Sequence, residues 1–184
     1  MRKNILVLTS SPRRGGNSDM LAMSFAKGAM EQGHEVSMVS VGHQQIGGCL
    51  ACERCWKQGQ RPCVRDDDMQ AIFPALESAD VCVLAAPLYF YNLPSQIVSV
   101  CDRLYPYYKD DCPRKLKIKE SVLLMTAATD ERDEFAGVEN VYRILTDYLG
   151  WKDRGVLIAD SVLDKGDIEQ GDWLKQAFEM GKAI

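Results

Sequence analysis

Four of the chain's seven cysteines crowd into one short segment, as Cys49-x2-Cys52-x2-Cys55-x7-Cys63. Two successive two-residue gaps match the first three ligands of a bacterial ferredoxin run, where thiolates hold a four-iron cluster. Zinc sites more often use two separate C-x2-C knuckles with a longer spacer. The fourth cysteine follows Pro62 and is near enough to close a compact loop. Three readings stand side by side: a 4Fe-4S cluster, a zinc site, or metal-free thiols. The neighbouring Arg54, Lys57, Arg61 and Arg65 can offset thiolate charge, attract an acidic ferredoxin, or simply face water. Cys82, Cys101 and Cys112 are scattered, and free cysteine is among the most buried residue types, so a core role suffices for them.

A second chemistry is suggested by the stretch Thr9-Ser10-Ser11-Pro12-Arg13-Arg14-Gly15-Gly16-Asn17-Ser18. It lacks the G-x-G-x-x-G of dinucleotide sites and the G-K-[ST] of nucleoside-triphosphate loops. It does offer hydroxyls, two glycines and the amino end of a helix, which together can surround a phosphomonoester with N–H and O–H donors. The bland alternative is a surface turn that caps a helix. Further along, Pro87-Leu88-Tyr89-Phe90-Tyr91 carries three consecutive aromatics, more than a loop can bury. Such a segment suits a flat amphipathic ring, a hydrophobic lid or a dimer contact. The small residues of Thr126-Ala127-Ala128-Thr129-Asp130 permit close backbone approach. His34 and His43 have no companion at metal spacing. Asp66-Asp67-Asp68 reads as helix N-terminal acidity, and no nucleophilic triad can be read.

The elements that must position these residues alternate. Lys3–Thr9 is a short apolar run typical of a strand covered on both faces, and the apolar spacing after Asn17 or Ser18 predicts a helix ended by Gly33. His34–Val41, Val81–Ala86, Ser121–Ala127 and Gly155–Ala159 read as four more strands. Helices are predicted from about Asp66 to Ser78, Ser95 to Tyr105, Phe135 to Leu149 and Asp172 to Lys182. Alternation of this kind implies right-handed crossovers and an α/β fold: one doubly wound domain over residues 1–184, with a five-stranded parallel sheet in the order 2-1-3-4-5. Ligands in such sheets bind beyond the carboxyl ends of the strands, which is where the loops after Thr9, Ala86 and Ala127 lie.

Composition narrows the function. With 46% hydrophobic and 26% charged residues the chain is an ordinary globular one. A net charge of −4 argues against nucleic acid as a partner. Only four apolar residues, Ile5 to Leu8, follow the basic N-terminus, too few for a secretion signal, and no run is long enough to span a membrane. The expectation is a cytoplasmic protein without disulfides.

TSSPRRGGNSDML resembles the phosphate loop of the NADPH-dependent FMN reductase family, whose members are flavodoxin-like. The resemblance implies that Ser10, Arg13, Asn17 and Ser18 hold the FMN phosphate, with Pro12 shaping the turn. It implies that Pro87, Leu88, Tyr89 and Phe90 line the flavin ring. Thr126, Ala127 and Thr129 fall at the family's third flavin loop, and Asp102-Arg103 fits its pattern in a structural role. The cysteine spacing, between the second strand and second helix, is similar to that of iron–sulfur flavoproteins, with Cys49, Cys52, Cys55 and Cys63 as ligands. The resemblance covers about the first 150 of 184 residues. It implies an NAD(P)H-dependent reductase of flavin, quinone or similar small acceptors, in which the flavin carries the chemistry and no side chain need be catalytic. A carrier relaying electrons between a ferredoxin-like donor and FMN is the alternative, and a non-catalytic flavodoxin-fold binding protein the third. Family members commonly bind flavin near a homodimer interface, so a homodimer or homotetramer is expected.

Overall fold

The computed structural model describes residues Met1–Ile184. Ten principal elements follow in order: β1 (Asn4–Thr9), α1 (Asn17–Glu31), β2 (Glu35–Ser40), α2 (Met69–Ser78), β3 (Val81–Pro87), α3 (Ser95–Asp102), β4 (Glu120–Thr126), α4 (Ala136–Leu149), β5 (Lys152–Ala159) and α5 (Trp173–Lys182). The strands form one sheet in the order β2-β1-β3-β4-β5, and every pairing is parallel. This is the doubly wound order of flavodoxin-like folds.

The two-residue period of the central strands divides the core in two. Ile5, Val7, Val81, Val83, Val122 and Leu124 pack on one face against Leu21, Phe25 and Ala177 of α1 and α5. Leu6, Leu8, Leu84, Leu123 and Met125 face the other way, onto α2, α3 and α4 through Ile72, Phe73, Ile97 and Val138. Both faces being apolar explains why these strands read as continuous hydrophobic runs. β2 lies at an edge, and its residues are correspondingly half-buried or exposed.

Three element boundaries differ from the sequence expectation by three residues, two of them for a local reason. The second helix starts at Met69, because the three aspartates before it are drawn sideways. Asp68 accepts the Gln45 N–H at 2.7 Å, Asp67 the Gly47 N–H at 3.2 Å, and Asp66 pairs with Arg61 at 2.7 Å. Their acidity thus fastens the preceding loop as well as standing at the positive end of the helix. The third helix stops at Asp102, and Tyr105–Tyr107 tightens into a separate 3-10 turn around Pro106, which has no N–H to continue a helix. β5 begins at Lys152 rather than Gly155.

No helix is long and apolar enough to cross a membrane. At the carboxyl edge of the sheet, the loops after β1, β3, β4 and β5 meet.

Candidate functional site

The meeting of these loops forms a cleft open to solvent. From the first loop come Ser11, Arg13, Gly16, Asn17 and Ser18; from the second Pro87, Leu88 and Tyr89; from the third Thr126, Ala127 and Ala128. The segment after β5 supplies Val162, Leu163 and Lys165. Leu88, Ala127 and Ala128 also border a second, more open cavity, completed by Phe90, Tyr91, Thr129 and Glu134. The two cavities therefore run together past the ends of β3 and β4.

The first loop is shaped by its own backbone. Gly16 N–H closes onto Arg13 O at 3.0 Å, and a Cβ on Gly16 would stand 2.9 Å from that same oxygen. Ser11 Oγ accepts the Arg13 N–H at 3.1 Å, and Ser10 N–H is tied to Ala85 O at 3.0 Å. The expectation that Asn17 or Ser18 caps α1 is not met. Gly16 occupies the cap position with no side-chain bond, and both side chains are diverted elsewhere. Asn17 Nδ2 donates to Asp164 O at 2.8 Å while its Oδ1 accepts the Gly166 N–H at 2.9 Å. Ser18 Oγ and Thr126 Oγ share a buried hydrogen bond of 2.7 Å. The amides of Asn17, Ser18 and Asp19 are left without acceptors in the chain, all at the positive end of the helix. Free amides and two cationic side chains, with no carboxylate in the lining, fit a phosphomonoester.

The sequence-predicted residues divide. Arg13, Asn17, Ser18, Pro87, Leu88, Tyr89, Thr126 and Ala127 are brought together around the first cavity. Phe90 and Thr129 line the second. Ser10 is fully buried beneath the loop, its Oγ without a partner, and does not reach the lining; Pro12 is exposed on the outer side of the turn. Phe90 is almost wholly exposed at 98%, and both it and Tyr91 hold left-handed backbone (φ 45° and 63°). Ser11, Leu163 and Lys165 escaped the sequence reading. Ser11 was hidden by its equally plausible neighbour Ser10, and Leu163 and Lys165 by a segment with no local motif.

The four cysteines border one small apolar pocket, with Leu50, Val64, Tyr105 and Pro106 among its walls. Cys49 and Cys52 are exposed, Cys55 and Cys63 buried. The Arg54 backbone N–H and guanidinium hold the Cys52 thiol below its ordinary range, whereas burial and the nearby Cys63 push Cys55 up. Cys49 Sγ accepts the Ala51 N–H at 3.4 Å, the kind of contact that tunes a thiolate ligand. The sulfurs ring the cavity rather than converge: no three His, Cys, Asp or Glu side chains are gathered closely enough for a single ion. A four-iron cluster takes one thiolate per iron, and four thiols spread around an apolar pocket fit that donor set.

Beneath this pocket lies Arg103, only 1% exposed. Its guanidinium donates to Gly47 O at 2.9 Å and to both Asp67 oxygens at 2.8 and 3.2 Å. Cys82 is buried elsewhere in the core and Cys101 packs, partly buried, against it; burial pushes the Cys82 thiol far up and Cys101 to about 12.

The family model for NADPH-dependent FMN reductases matches residues 3–153. An iron-sulfur flavoprotein of Methanosarcina thermophila is 34% identical over 96 residues, 52% of this chain and 49% of that protein. An iron-sulfur flavoprotein of Archaeoglobus fulgidus is 29% identical over 177 residues, 96% of this chain and 76% of that protein. Among solved structures, an NAD(P)H:quinone oxidoreductase from Methanothermobacter marburgensis superposes with a TM-score of 0.77 at 21% identity, covering 99% of this chain and 96% of that one. The last likeness is one of fold.

Proposed function

The chain belongs to the NADPH-dependent FMN reductase family, and from that premise we propose that it is an FMN-dependent oxidoreductase drawing electrons from NAD(P)H to reduce flavin, quinone or similar small acceptors. The observation that carries this reading is the paired cavity at the carboxyl edge of the sheet. One part is a cationic, amide-rich cradle, and the other is an open apolar pocket beside it. FMN, when bound, supplies the redox chemistry. The residues' work is to bind, orient and admit. Arg13 and the free amides of Asn17 and Ser18 hold the phosphate at the positive end of α1. Leu88, Tyr89, Ala127 and Ala128 wall the ring, and the small alanines let its edge approach the backbone. Phe90, Tyr91 and Thr129 border the pocket where a nicotinamide or an acceptor stacks.

A second reading, an iron–sulfur flavoprotein relaying electrons from a ferredoxin-like donor, is favoured by the four thiols around one cavity and by the names of the relatives. In that reading Cys49, Cys52, Cys55 and Cys63 hold the cluster. One preparation tests both. Protein purified without oxygen is assayed for flavin, iron and NAD(P)H oxidation with a quinone acceptor. Flavin with steady NAD(P)H turnover supports the reductase. About four irons per chain, with poor NAD(P)H turnover, moves the function to electron relay. Absence of flavin after FMN is supplied sinks both.

A further inference from the structure

The segment after β5 approaches the phosphate cradle from the far end of the sequence, and Lys165 stands at its tip. Its backbone is fixed on both sides. Arg13 Nη1 donates to Leu163 O at 3.0 Å, Asn17 bonds Asp164 O and the Gly166 N–H, and Asp167 accepts the N–H groups of Leu163 and Asp164 at 3.0 and 2.8 Å. Gly166 turns the chain with a φ of +100°, which a side chain would resist. Between these anchors Lys165 reaches back over the loop. Its Nζ donates to Arg14 O at 3.1 Å and would lie 3.5 Å from a Cβ on Gly15.

An ammonium has three donors, and one of them serves Arg14. Two remain, at the rim of a cavity whose lining holds two cations and no carboxylate. A phosphomonoester carries between one and a half and two negative charges near pH 7, roughly the charge that Arg13 and Lys165 together offset. Because the backbone is already fastened around Lys165, little ordering is lost when a ligand engages it.

We propose that Lys165 is a direct ligand of the FMN phosphate and sets the preference for FMN over riboflavin, an inference that rests on the flavin-binding reading above. The competing role is that of a latch, in which the bond to Arg14 O merely holds the segment in place.

Protein freed of flavin by dialysis is titrated with FMN and, separately, with riboflavin, following flavin fluorescence at several sodium chloride concentrations. Lys165→Gln is expected to weaken FMN binding about tenfold, the size of one charge-assisted hydrogen bond at an exposed position, and to leave riboflavin unchanged. The variant's salt dependence for FMN should also become shallower, and Lys165→Arg should restore most of the affinity. Equal weakening of both ligands, or no change in either, overturns the proposal and leaves the flavin reading intact. Wild-type protein that binds neither ligand overturns both.

Discussion

The phosphate cradle and the cysteine loop lie on the same molecule but are held in opposite ways. The cradle is made by its place in the fold. It follows a buried strand, its turn closes on its own backbone, and beside Arg13 and Lys165 it presents the unpaired amides of a helix that the sheet positions. The cysteine segment has no regular structure between Gly47 and Val64, and Ala51, Glu53 and Trp56 all hold left-handed backbone (φ 48°, 54° and 61°) that non-glycine residues rarely adopt. Distant side chains keep it in place. The Trp56 indole donates to Pro106 O at 2.8 Å and meets the Tyr107 ring edge-on, while Arg114 lies over its face and donates to Gln60 O. Arg103, Asp67 and Asp68 hold its base. A site made from backbone survives most side-chain changes. One made from side chains depends on each of them.

The largest break in this comparison is expected at Arg103. Arg103→Met leaves Asp67, 12% exposed, without its buried partner, a class of change that costs about 3–5 kcal/mol. Burial alone would push the Asp67 carboxyl up, but hydrogen bonds from Arg103 and Gly47 N–H and the charges of Arg103 and Arg65 outweigh it and hold the group below its ordinary value. Its stabilising contribution is therefore fully present above the unfolded-state pKa, about 3.9, and disappears as pH falls through the lower folded value. Thermal melts from pH 7 to pH 3 should show a lower melting temperature for the variant throughout. The gap between the two should narrow towards the acid end, since wild type loses the Asp67 contribution there and the variant no longer has it to lose. Superimposable curves would mean that the ion pair does not hold the loop.

A smaller effect sharpens the comparison instead. If the two sites are independently supported, Cys63→Ser should abolish iron binding in anaerobically prepared protein yet leave FMN per chain within about a fifth of wild type, because the cysteine cavity and the phosphate cradle share no lining residue. Paired iron and flavin analyses read this directly. Parallel loss of flavin would show that the cysteine loop supports the flavin site after all.

How far each region could be read from sequence follows from how it is held. Strand-like runs alternating with helical ones gave away the sheet, its order and the loops that meet at its edge, and β1, β3 and β4 stood out because both their faces are buried. The cysteines were visible through spacing alone. The aspartates beside them were read only in part: Asp66–Asp68 do precede a helix, but the partners that Asp67 and Asp68 also hold, Gln45, Gly47 and Arg103, are remote or unmarked. Arg103 fitted a pattern, but its burial could not be inferred from a residue type that usually faces water. Ser10 and Ser11 show the limit at single-residue scale. Both hydroxyls stand in the right loop, and only the backbone path decides that Ser11 meets the cavity while Ser10 is covered. Lys165 had no signal, because its importance arises only once β5 is placed beside β4.

The smallest expected effect concerns a side chain that shapes the cradle without reaching the phosphate. Asn17 was expected to touch phosphate, yet both ends of its amide are engaged with Asp164 O and Gly166 N–H. That arrangement makes it a positioning residue for the segment that carries Lys165. Asn17→Ala removes two neutral hydrogen bonds at a half-buried position, each contributing about 1 kcal/mol, but leaves Arg13, the helix amides and Lys165 chemically intact. FMN binding should weaken only about three- to fivefold, since part of the loss is recovered when phosphate draws the ammonium back. The salt dependence should match that of wild type, because no charge has been removed. The Gly166 amide, deprived of its acceptor, should exchange with solvent markedly faster. A loss as large as that of Lys165→Gln, with Gly166 still protected, would instead place the Asn17 amide on the phosphate itself, and the cradle would then depend on side chains as the cysteine loop does.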